Sequence, residues 1–143
     1  MAENTVNILL VEDDDVAAEG IERAFRKAKI GNPIHRATDG IDALELLRGE
    51  GGRERLPRPY MILLDLKMPR MDGQKFLEEI RGDAELDDSV IFVLTTSSDE
   101  QDRVAAYKKY VAGYIVKSKA GEDFVELLGM LDHFWRVVEL PEK

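Results

Sequence analysis

The chain has no cysteine, which excludes a disulfide framework and any thiolate-ligated metal site. Its two histidines, His35 and His133, stand far apart without partners at metal-ligand spacing. No stretch approaches the roughly 20 apolar residues that span a bilayer, and the opening MAENTVNILL has no basic flank or long apolar segment of an export signal. A cytoplasmic protein without a membrane partner is the expectation. Positive charge is also short: 20 basic side chains face 29 acidic ones, a net charge of −9 that repels a phosphate backbone. Direct binding to nucleic acid is therefore not expected. The glycines of RGEGGRERLP lack the spacing of a nucleotide-phosphate loop and do not join a strand to a helix. With no repeat, low-complexity segment or linker, residues 1–143 read as one domain with one well-covered core.

What the chain does have is an alternating pattern. Val6–Val11 is a nearly continuous apolar run of strand length, the kind buried on both faces of a parallel sheet. Apolar residues then recur at helical spacing from Val16 through Ala17, Gly20, Ile21, Ala24, Phe25 and Ala28, with a stop at Gly31-Asn32-Pro33. Ile34–Ala37 reads as a second strand, and Ile41, Ala43, Leu44 and Leu47 mark a second helix after a Thr38-Asp39-Gly40 turn. A polar surface loop, RGEGGRERLPRP, leads to a third strand at Met61–Leu64. Phe76, Leu77 and Ile80 give a third helix ending near Gly82-Asp83, Val90–Leu94 a fourth strand, and Asp99–Tyr110 a fourth helix with Val104, Ala105 and Tyr107. Tyr114–Val116 is the fifth strand, and a last helix within 121–143 carries Phe124, Leu127, Leu128, Leu131, Trp135 and Val138 on one broad stripe. Five strands alternating with five helices indicate an α/β doubly wound parallel sheet. Right-handed crossovers allow the order 2-1-3-4-5 among others, and that order opens a crevice at the carboxyl ends of the strands.

The residues following each strand are Glu12 and Asp13, Asp65, Thr95, and Lys117. Three carboxylates at one edge repel one another unless a cation sits among them or one is protonated. A hard, oxygen-ligated cation such as Mg²⁺ suits them. With an ammonium and a hydroxyl added, the set describes a site for phosphoryl transfer, where positioning and charge neutralisation dominate. Singly, each has a plainer reading. The acids of EDDD can begin a helix, as Asp14 and Asp15 are expected to do; Asp65 can open a turn, and Lys117 can be a solvated charge. Their joint placement at successive strand ends is what points to a site.

ILLVEDDD, MILLDLKMPRMDG, VLTTSS and GYIVKS resemble, in order and over nearly the whole chain, the receiver domain of two-component response regulators. The resemblance implies a flavodoxin-like (CheY-like) fold and a phosphoryl group donated by a histidine kinase to Asp65. It further implies Mg²⁺ (or Mn²⁺) held by Asp13, Asp65 and the backbone carbonyl of Lys67, with Glu12 acting through water. Thr95 is then the switch hydroxyl opposite Lys117, and Tyr114 the aromatic residue that swings inward with it. Glu12 replaces the family's more frequent aspartate. Ser118 replaces its proline after the lysine; a cis Lys117-Ser118 bond costs roughly 2.5 to 4 kcal/mol against trans, so either the surroundings enforce it or the loop differs.

The long approach to the third strand and the ending DHFWRVVELP are similar to single-domain response regulators that accompany bacterial and cyanobacterial phytochrome kinases. That narrower likeness implies a bacteriophytochrome as kinase partner, no attached output domain, and a homodimer through Phe134, Trp135, Val137, Val138 and Leu140. Two rivals differ in class. An aspartyl-nucleophile phosphatase of the haloacid dehalogenase type would want a second acid where Lys67 stands, and a phosphate-independent adaptor would not need the full set of acids, hydroxyl and lysine.

Overall fold

The computed structural model describes residues 5–68, 70–95, 99–116, 129–134 and 140–141. Strands β1 (Asn7–Val11), β2 (Ile34–Ala37), β3 (Tyr60–Leu64), β4 (Val90–Thr95) and β5 (Gly113–Val116) alternate with helices α1 (Asp15–Lys27), α2 (Gly40–Arg48), α3 (Gly73–Arg81) and α4 (Glu100–Lys108). Residues 129–134 add helical structure after β5. All strand pairs are parallel and the order is β2-β1-β3-β4-β5. The doubly wound sheet expected from the alternation is therefore the one observed.

Alternate residues of the central strands point to opposite faces, and each face has its own core. Leu9, Val11, Ile62 and Leu64 pack with Ala43, Leu44 and Leu47 of α2 and Phe76, Leu77 and Ile80 of α3. Ile8, Leu10, Met61 and Leu63 pack with Ala18, Ile21, Ala24 and Phe25 of α1 and with Leu131. Burial on both faces is why β1 and β3 need uninterrupted apolar runs. Every residue of β3 is buried.

Each of the four helices starts on an aspartate. Asp14 accepts from the backbone N–H of Ala17, Asp39 from Asp42, Asp72 from Lys75 and Asp99 from Gln101. Such a cap stabilises a helix by about 1 kcal/mol and fixes which residue begins it. The phase of α1 differs accordingly from the expected stripe. Val16 is 77% exposed and Gly20 also faces solvent, whereas Ala18 is buried.

Two more expectations change. In α4, Val104 and Tyr107 are exposed, and Ala106 is the buried residue. The 49–59 loop is not merely surface: Leu56 is buried, and Arg58 pairs with Asp88 at 3.0 Å while its guanidinium lies 5.0 Å from the centroid of the Tyr60 ring. That loop is stapled to the segment before β4.

Candidate functional site

The sheet register brings the functional edge together. Val11 of β1 pairs with Leu64 of β3, and Leu64 pairs with Val93 of β4. One step beyond, the Asp65 N–H donates to the Val11 carbonyl and the Glu12 N–H to the Ala37 carbonyl, both at 3.0 Å. The ladder thus extends into the first residue after each strand and carries both carboxylates on rigid backbone. Glu12 and Asp65 are buried, and Asp13 is the most accessible of the three acids.

One carboxylate oxygen from each of Glu12, Asp13 and Asp65 lies within 4.8 Å of the others. Around an octahedral cation with bonds of about 2.1 Å, adjacent ligand oxygens sit roughly 3 Å apart and opposite ones roughly 4.2 Å. Modest side-chain rotation therefore closes the set onto one ion. Three anionic oxygen donors without nitrogen or sulfur are the ligand chemistry of a hard divalent metal, so the residues fit such an ion.

Lys67 divides into two parts. Its backbone N–H lies 3.3 Å from Asp65 Oδ1, which keeps the main chain of the loop against the carboxylate. Its ammonium turns toward α4 and pairs with Asp102 at 3.1 Å, and the hydrogen bond to that carboxylate raises the lysine pKa. Gln74 of α3 donates to the Asp102 carbonyl and accepts from Lys109 Nζ. The loop after β3 and helix α3 together hold α4 by polar contacts.

Thr95 ends β4 fully buried, opposite Val116 in the register. Tyr114 is half-buried against the core of α2 and α3. Lys117 and Ser118 lie outside the described residues, as do Trp135, Val137 and Val138. Phe134 meets Phe92 edge-on with ring centroids 5.3 Å apart, and Leu140 is buried in the same core. Both were expected as spare apolar surface; both pack within the protomer.

Three features escaped the sequence reading. Asp39, at the cap of α2, receives Arg70 Nε at 2.5 Å and Nη2 at 3.0 Å. The hydrogen bond from Arg70 is the main reason the Asp39 carboxyl is held below its ordinary pKa, with burial opposing it. This fork ties the loop after β2 to the loop after Asp65, with Arg70 in the left-handed region at φ 60°. The second feature is the Lys67, Asp102 and Gln74 clasp. Third, Arg36 of β2 reaches the acidic turn: its Nε donates to the Glu12 carbonyl at 3.0 Å and its Nη1 pairs with Asp15 at 2.6 Å. An arginine in a short strand of an acidic chain is the one local hint of it.

Among the described residues no helix is long and apolar enough to cross a membrane. Residues 8–129 match the family model described as the response regulator receiver domain. The response regulator Rcp1 of Synechocystis sp. is 35% identical over 135 residues, 94% of this chain and 92% of that protein. Its Mn²⁺-bound crystal structure superposes with a TM-score of 0.83 over 95% of this chain and 99% of that one. The phosphorylated cyanobacterial phytochrome response regulator RcpA gives a TM-score of 0.84 at 33% identity, over 95% of this chain and 98% of that one. A probable methanogenesis regulatory protein, FilR2 of Methanothrix harundinacea, is 38% identical over 94% of this chain and 86% of its own length.

Proposed function

The chain belongs to the response regulator receiver domain family, whose members work with a histidine kinase, and on that premise we propose that Asp65 accepts the phosphoryl group. A carboxylate oxygen of Asp65 attacks phosphorus of a kinase phosphohistidine, the P–N bond breaks, and the imidazole leaves with its electron pair and takes a proton. One observation supports this reading: carboxylate oxygens of Glu12, Asp13 and Asp65 lie within 4.8 Å of one another at the open edge of the sheet, with Thr95 buried on the adjacent strand.

Asp13, Asp65 and the Lys67 carbonyl would hold Mg²⁺, and Glu12 would act through water. When bound, the ion neutralises charge on the transferred oxygens. The rigid backbone holds the Asp65 nucleophile in place, and the Thr95 hydroxyl donates to the acyl phosphate it forms. Lys117 pairs with the same oxygens. Engagement of Thr95 draws Tyr114 inward and shifts α4 and β5 between two populated arrangements. The same site would hydrolyse its own acyl phosphate, the extent of its enzymology.

The likeness to RcpA, a cyanobacterial phytochrome response regulator, supports a phytochrome kinase as the partner, while the likeness to FilR2 leaves other kinases as outcomes of a test; a cytoplasmic setting is part of the same proposal. A homodimer through the C-terminal region completes the proposal. Met130, 52% exposed in that region, supplies apolar surface for it.

Acetyl phosphate with Mg²⁺ is expected to place one base- and hydroxylamine-labile phosphoryl group on Asp65. EDTA or Asp65→Asn abolishes the label, whereas Thr95→Ala keeps it and loses the accompanying NMR shifts at Gly113–Val116. Labelling that survives Asp65→Asn would sink the assignment of the phosphoacceptor, and labelling that survives EDTA would sink the metal roles of Asp13 and Asp65.

A further inference from the structure

The Arg36 guanidinium bridges both ends of the acidic turn. On one side its Nε holds the Glu12 carbonyl at 3.0 Å, on the other its Nη1 holds Asp15 Oδ1 at 2.6 Å, and Asp13 lies between them in sequence. The Glu12 carbonyl belongs to the peptide plane that joins Glu12 to Asp13. Holding that oxygen fixes the rotation of the plane, and with it the direction in which the Asp13 side chain leaves the backbone. The opposite edge of Glu12 is held by the sheet, through its N–H to Ala37, and Asp14 N–H approaches Glu12 Oε2 at 3.3 Å. With Ala37 following Arg36 directly, β2 grips Glu12 at both backbone groups.

Charge alone does not account for this placement. The Asp15 side chain is 89% exposed, where water and salt screen an ion pair. Arg36 Nη2 is buried with no partner among the described residues, which is unfavourable for a guanidinium and is tolerated where the rest of the fork is fixed by geometry. A planar fork with Nε–H in a set direction does what a lysine ammonium cannot.

The geometry points to Arg36 as a positioning residue that pre-sets Asp13 for the divalent cation; this rests on the metal reading proposed above. Partners that orient metal ligands typically change affinity by about 10- to 100-fold when removed.

Mn²⁺ affinity, read from the EPR signal of free Mn²⁺, tests it without any turnover. Arg36→Ala is expected to weaken binding at least about tenfold while the metal-free melting temperature stays within a few degrees of wild type. Arg36→Lys keeps the charge and is expected to behave like Arg36→Ala, and it carries the test should the alanine variant fail to fold. Asp15→Asn breaks only the exposed ion pair and is expected to change affinity less than about threefold. Wild-type affinity in Arg36→Lys, or tighter binding in Arg36→Ala, would overturn the role by reducing Arg36 to a nearby charge. Wild-type protein that binds no Mn²⁺ would overturn the metal reading itself, a result distinct from either.

Discussion

Gly73 sits where α3 begins and its N–H donates to the Leu66 carbonyl at 2.9 Å, closing the loop that follows Asp65. A Cβ there would lie 2.6 Å from Leu66 Cα, 2.7 Å from Leu66 Cδ2 and 2.9 Å from the Asp65 carbonyl oxygen. Two of those three atoms are backbone, so no rotamer change relieves the contact. Reaching ordinary contact at 3.4 Å from 2.6 Å requires a displacement of about 0.8 Å in the peptide that carries Asp65. Overpacking of this kind costs about 1–3 kcal/mol. Alanine regains at most about 1 kcal/mol of helix propensity, and less in the first turn, so the clash wins. Gly73→Ala is expected to lower stability by about 1–2 kcal/mol, a fall of roughly 0.5–1 M in the urea midpoint. Because a misplacement near 1 Å can cost about 10²-fold in rate, phosphorylation by acetyl phosphate should slow by roughly 10- to 100-fold. Gly20→Ala is the control: an added Cβ in mid-α1 meets nothing within 4 Å, so it should stabilise by about 0.5–1 kcal/mol. Wild-type midpoint and rate in Gly73→Ala would refute the reasoning.

Two further outcomes are expected. The Asp39 carboxyl has its pKa lowered by Arg70, so its stabilising contribution is complete above the unfolded value near 3.8 and disappears as pH falls through the lower folded value. The stability gap between wild type and Arg70→Ala, from urea midpoints, should therefore be constant from pH 7 to about 5 and narrow below about 4, and shrink with salt; a gap independent of pH down to 2.5 would contradict it. Sedimentation velocity at micromolar concentration should find a dimer that Trp135→Ala with Val138→Ala weakens, and a wild-type monomer would end that proposal.

The strands were legible because burial on both faces leaves a period-free apolar run, and Met61–Leu64 can be little else. Glu12, Asp13, Asp65 and Thr95 were legible for a related reason: each stands where such a run stops. Helix faces were less so. Val16 fits a stripe by spacing, yet the Asp14 cap sets the phase and turns it to water. Arg36 with Glu12 and Arg70 with Asp39 are separated by 24 and 31 residues, and no local pattern announces a pair formed only when the strand ends converge. Asp102 stands in the first turn of α4, where an acid is ordinary, and nothing local marks it as the partner of Lys67, 35 residues away.

Helix α4 buries Ala106 alone and is held by the Asp102, Gln74 and Lys109 contacts, whereas α1, α2 and α3 each bury four residues. Moving it exchanges polar contacts for water and uncovers little hydrocarbon. Exposed apolar area is what gives a transition its heat capacity. A rearrangement of α4 therefore carries a small heat-capacity change, and its equilibrium follows a nearly straight van't Hoff line. The domain as a whole, with its two apolar cores, unfolds along a strongly curved one. Temperature would thus bend the stability of the scaffold far more than the poise of α4.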